Sequence, residues 1–208
     1  KNCVNFNNKY SRSKDWKIMP GNLDLAQISL VKMIKEYDYY WFCEDDVRFG
    51  GNMSSLTSRF TDNMSDLLCT NLRPIPKQWF FKHTYKNEND RSPQLLSFLP
   101  FFRVSRAGVN HICQAYEQGS GGHHEISWPN ILNSNGCTVQ DFHIIEPMIY
   151  TSNKTRLSMG WGSFCYFPPK LFINNKSGLL YHPVKPLKDY FKMYKKYIAL
   201  QIKRRLNR

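Results

Sequence analysis

The sequence predicts an α/β fold. Amphipathic helical patterns alternate with short, continuous apolar runs, and one of those runs ends in three consecutive acidic residues. Composition agrees: hydrophobic residues make up 41% of the 208 and aromatics 15%, enough for a packed core and too apolar for a disordered chain. The aromatics read first as core packing, although sugar-binding clefts use the same residues.

Residues 1–20 are polar and basic and read as loop, closed by the turn signal Pro20-Gly21-Asn22. Leu25, Ile28, Leu30, Val31 and Ile34 follow helical spacing, so a helix is expected over about 24–36, capped by Asn22 or Asp24. Tyr39-Tyr40-Trp41-Phe42-Cys43 is a continuous apolar run, the pattern of a strand covered on both faces. A helix over about 53–61 and a short buried strand at Asp66–Cys69 follow. The Pro-, Lys- and Asn-rich stretch 71–94 reads as a long loop with some helix.

Leu95–Phe102 should be extended, and Ser105 should cap a helix carrying Val109, Ile112, Cys113 and Tyr116. Gly119–Gly122 reads as a flexible loop before a helix at about 124–134. A strand is expected over Thr138–Ile145, irregular chain over 150–178, and a last strand at Leu179–Tyr181. From Lys188 the chain should be a basic helix. The domain reading is a catalytic domain over 1–186 and a basic amphipathic helix over 187–208.

The cluster Glu44-Asp45-Asp46 carries the chemistry. Three carboxylates crowded at a strand end repel one another unless a cation neutralises them. Hard oxygen ligands suit Mg²⁺ or Mn²⁺, which also bind phosphates. Ligands of open α/β sheets sit beyond the carboxyl ends of strands, where this cluster falls. The bland alternative is a solvated acidic turn.

The segment YYWFCEDDVRFGGN resembles the DxD region of GT-A-fold glycosyltransferases, with Glu in place of the first Asp. The resemblance implies a GT-A-like, Rossmann-like mixed sheet flanked by helices, a divalent metal and a nucleotide-sugar donor. It makes Asp46 the metal ligand, sets Glu44 on the metal through water or on the donor, and leaves Asp45 to the donor. GSGGHHEISWPNIL, residues 119–132, is similar to the glycine-rich loop and acidic helix start beside the acceptor in these enzymes. In inverting members that carboxylate deprotonates the acceptor hydroxyl, a role that falls on Glu125. Its alternative is a charge complementing a helix N-terminus. The glycines would let backbone approach the sugar. His124 is an acceptor contact on this reading, while at least one of His123 and His124 is expected at the surface.

A late histidine returns to the metal in many such enzymes, and His182 fits that role. Lys185 would then neutralise a phosphate. Arg103 is read as a donor contact because its fork matches phosphate geometry, against a solvated strand-to-helix junction. Trp161, in MGWGS, is an acceptor platform, whereas Trp128 reads as core. The usual GT-A fold opens with base-binding strands; only 38 residues precede the run at Tyr39, so either an N-terminal portion lies outside this chain or the fold is abbreviated.

The formal charge of +13 calls for polyanionic partners. In Lys188–Arg208, Tyr190, Phe191, Tyr194, Tyr197, Ile198 and Ile202 share one helical face and Lys and Arg fill the other. That is the pattern of a helix lying in a membrane surface, against a core-packed helix with a solvated face. Six cysteines without a CxxC read as buried free thiols. The expected partners are a nucleotide-sugar donor, a glycan or glycolipid acceptor and an anionic membrane surface, without nucleic acid. The expected location is cytoplasmic and peripheral on a membrane, or the Golgi lumen if an anchor precedes residue 1. The rival functions are a metal-dependent nucleic-acid-binding or phosphodiester-cleaving protein and a non-catalytic glycan- or membrane-binding module.

Overall fold

The computed structural model describes residues 23–86, 93–147, 149, 164 and 168–206. The chain forms two compact units. One contains the residues up to Phe42 together with Met64–Phe142. The other contains Cys43–Asn63 together with the residues from His143 onward.

The first unit is α/β, with a mixed four-stranded sheet flanked by helices. Its helices are α1 (Leu23–Met33), α3 (Arg106–Glu117) and α4 (His124–Ser134). The sheet runs β1 (Tyr39–Cys43), β4 (Leu95–Ser105), β3 (Leu67–Pro74), β5 (Val139–Asp141) in spatial order. β3 pairs antiparallel with β4, Leu67 facing Val104, and parallel with β5, Leu67 facing Val139.

Burial explains this arrangement. Leu25, Ile28 and Val31 of α1 pack into one cluster with Val109, Ile112 and Tyr116 of α3, Trp128, Ile131 and Leu132 of α4, and Leu99, Phe102 and Val104 of β4. The expected core role of Trp128 holds. Its indole and the Tyr116 hydroxyl both donate to Oδ2 of the fully buried Asp24, at 3.2 and 2.7 Å, and Ser127 Oγ lies 2.9 Å from the same hydroxyl. Three helices are thus joined through one carboxylate.

Local chemistry sets the helix starts. Ser105 Oγ accepts from Gly108 N at 2.8 Å, the cap its position predicts. α4 contains Pro129, which cannot donate to the carbonyl four residues back. That carbonyl belongs to Glu125, and it accepts instead from Ser97 Oγ at 3.2 Å. Asn130 finishes the junction: its Oδ1 accepts from Gln94 N and Leu95 N, and its Nδ2 donates to Leu95 O and Ile126 O.

Several expectations change. β1 is an edge strand, half-buried except at the buried Tyr40 and the exposed Cys43, and the strand covered on both faces is β4. Pro100 fits inside β4 because it lies in the stretch where the register against β3 shifts. β3 continues through Pro74, beyond the expected Cys69 and into the stretch read as loop. That stretch also holds a short 3₁₀ turn, Lys82–Thr84. The strand expected over Thr138–Ile145 stops at Asp141, whose Oδ2 accepts from Leu72 N at 2.9 Å, and the apolar residues after it form the short helix α5 (Phe142–Ile145). Cys69 and Cys113 are buried thiols as expected, but Cys43, last in the edge strand, is exposed.

The second unit holds β2 (Arg48–Phe49), α2 (Met53–Ser58), β6 (Leu180–Tyr181) and α6 (Leu187–Leu206). Asn52 caps α2, its side chain accepting from Ser54 N at 2.9 Å. β2 and β6 form an antiparallel ribbon, Arg48 facing Tyr181 and Phe49 facing Leu180. Among the described residues no helix is long and apolar enough to cross a membrane.

Candidate metal centre

The ribbon builds the site. Extending its register sets the turn Glu44–Val47 beside the residues after β6. Val47 N donates to Glu44 O at 3.2 Å and closes the turn, and Val184 N donates to Asp46 O at 2.7 Å and ties the two segments together. Beyond the ribbon, Gly50 N donates to Leu179 O and Gly178 N to Gly50 O. Gly50 allows this approach: a Cβ there would lie 2.1 Å from Ser177 Oγ and 2.4 Å from Asn174 O.

His182 enters the cluster from the ribbon's far side in sequence. Its backbone N donates to Phe164 O at 3.0 Å, and its ring meets the buried Phe164 edge-on at 5.5 Å. Nε2 then lies 3.2 Å from Glu44 Oε2 and 3.4 Å from Asp46 Oδ1. The ligand-capable atoms of Glu44, Asp46 and His182 all lie within 4.8 Å of one another, and among the described residues this is the one such group. Two carboxylate oxygens and an imidazole nitrogen are a donor set that fits Mn²⁺ or Mg²⁺, the nitrogen favouring Mn²⁺.

Lys185 Nζ contacts Asp46 Oδ2 directly. Burial pushes the Asp46 carboxyl up, but hydrogen bonds from His182 and Lys185 outweigh it and hold the pKa at about 2. The Lys185 ammonium is raised in turn, chiefly by its hydrogen bond to Asp46. Positive charge therefore already faces the carboxylates from this chain, and the crowding that pointed to a cation is met in part by Lys185.

No family model matches the chain, and a search of the curated proteins returns no match.

The other candidates fall as follows. Asp45 is exposed on the acidic turn, and its carbonyl accepts from Arg48 Nη1 at 2.7 Å. Glu125, His124 and Arg103 belong to the first unit, with the sheet. Arg103 is 3% exposed, stacked 4.3 Å above the Tyr39 ring and donating to Ser65 O, so the solvated-arginine alternative is overturned. Trp161 lies outside the described residues.

Glu125 stands in the first turn of α4, its side chain 18% exposed. Leu99 N donates to its Oε1 at 3.4 Å, and His123 Nδ1 lies 3.9 Å from its Oε2. His123 and His124 are both buried and stacked 5.0 Å apart, which corrects the expectation that one would be a surface residue. The segment 79–86 packs against His123. Phe81 lies 4.5 Å from the His123 ring, Trp79 meets it edge-on at 5.4 Å, and Thr84 Oγ1 accepts from His123 N. Gly122, with φ +128°, lies against the Thr84 and Tyr85 backbone, so its missing side chain makes room for the protein's own chain. Sequence reading missed Trp79 and Phe81 as neighbours of Glu125's loop; the clustered aromatics of Trp79-Phe80-Phe81 in a polar stretch were the available signal.

Proposed function

We propose that this chain is a metal-dependent glycosyltransferase of the GT-A type, transferring a sugar from a nucleotide-sugar donor to a hydroxyl of a glycan or glycolipid. The observation that supports this most is the convergence of His182 on Glu44 and Asp46, from positions 138 and 136 residues apart in the sequence. Glu44, Asp46 and His182 would hold Mn²⁺ or Mg²⁺. Such an ion supplies charge stabilisation to a departing diphosphate.

The chain's own groups do the rest. Asp45 and Lys185 are assigned to the donor, Lys185 exchanging its contact with Asp46 for a phosphate oxygen. Glu125 is assigned to accept the acceptor's hydroxyl proton as that oxygen bonds to the anomeric carbon. The anomeric carbon–phosphate oxygen bond breaks, the electron pair leaves with the nucleoside diphosphate, and configuration inverts. His124 and Trp161 remain the acceptor contacts of this reading, and Arg103, engaged within the sheet unit, is given no part in it.

The test is nucleotide binding followed by thermal shift, with Mn²⁺ and with chelator. UDP or GDP should stabilise the chain only with metal, and Glu125→Gln should keep that binding while losing transfer. Nucleotide binding that is indifferent to chelator, or stabilisation by an oligonucleotide alone, would refute the transferase.

A second reading has its own observation. A protonated His182 together with Lys185 balances the two carboxylates without any metal, making the cluster an ion network that clamps the ribbon in a non-catalytic module. It requires that Mn²⁺ leave the melting temperature unchanged.

A further inference from the structure

We infer that α6 is a docking surface for an anionic lipid bilayer. Leu187, Phe191, Tyr194, Ile198 and Ile202 follow one another at three- and four-residue steps and form a single stripe along a 20-residue helix. All are exposed: Phe191 is 52% accessible, Ile198 40% and Ile202 54%. No described side chain of α6 is buried. A helix of this length extends about 30 Å, and one that shows its apolar stripe to water is marginal by itself.

Charge decides what covers the stripe. The helix carries seven Lys and Arg against one acidic residue, Asp189. Lys188 and Lys195 lie beside the stripe by helical position, and Lys192 and Lys196 lie on the far side, all exposed. A second copy of this helix would bring like charges together along the seam. An anionic surface answers both features, taking the apolar stripe among its acyl chains and the ammonium groups against its phosphates. The inference stands apart from the metal centre and from the transferase reading.

The test floats the full chain with vesicles of two parts phosphatidylcholine to one part phosphatidylglycerol, and with phosphatidylcholine alone. The mixed vesicles should carry the protein, the neutral ones should not, and added salt should release it. Ile198→Ser with Ile202→Ser should weaken binding at least about tenfold. Lys188→Ala with Lys195→Ala should weaken it roughly 25-fold. Unchanged melting temperatures establish that both variants fold, and Asp46→Ala should float like the parent. Equal binding to neutral vesicles, or binding that survives either double substitution, overturns the inference. So does self-association without lipid that the isoleucine pair abolishes, or capture of an oligonucleotide that depends on the lysine pair alone.

Discussion

Asp24 and Asp46 are both carboxylates withdrawn from water, and their partners differ in kind. Asp24, in the sheet unit, accepts from the phenol of Tyr116 and the indole of Trp128, neutral donors fixed by α3 and α4. Asp46, in the other unit, faces His182 and Lys185, groups that carry or can carry charge. Neutral donors locked in a core cannot be exchanged without unpacking it. Ionic partners on a half-open turn can give way to a metal or a phosphate. Burial alone therefore does not mark a functional carboxylate; the exchangeability of its partners does.

The comparison breaks first at Asp46. Asp46→Ala should weaken Mn²⁺ binding more than about 100-fold, beyond the loss expected for an outer-shell partner, as read by calorimetry. Asp24→Ala should do the reverse. It strips two buried donors of their acceptor, costs about 2–4 kcal/mol and lowers the melting temperature by about 5–15 °C, with Mn²⁺ affinity intact. If Asp24→Ala abolished metal binding, the division of labour between the two carboxylates would be wrong.

Smaller effects sharpen it. Lys185→Met removes a cation beside the proposed ion, and Mn²⁺ should bind several-fold more tightly while nucleotide affinity falls. Tyr116→Phe removes one donor to Asp24 and should lower the melting temperature by about 2–4 °C. The smallest effect is in acid. The Asp46 carboxyl is depressed to about 2, so its stabilisation is complete above the ordinary aspartate range near about 4 and is lost as pH falls through about 2. Asp46→Asn should therefore lose less stability than the parent between those pH values, measured by urea titration.

Features written in a few adjacent residues were legible in the sequence. The Ser105 cap and the span of α4 were readable because capping and helical spacing are local. The Tyr39–Cys43 run announced a strand, yet its place at the sheet edge depends on β4 lying to one side only, which no run of five residues encodes. The apolar residues of Phe142–Ile145 suit a strand as well as a helix, and the turn to helix after Asp141 comes with a bond to Leu72, far away in sequence. At the site, the acidic triplet and His182 could be named separately. The Lys185 contact with Asp46 could not, because the β2–β6 register that makes it is a pairing of two-residue strands.

Lys185 and Leu187 are separated by Pro186 alone. Two residue steps reach about 7 Å at most, and proline stiffens them. Whatever anchors the first turn of α6 therefore holds the Asp46 ammonium partner on a very short leash. A helix lying flat on a surface would fix the height of that lysine above it and keep the cluster within a thin layer of solvent.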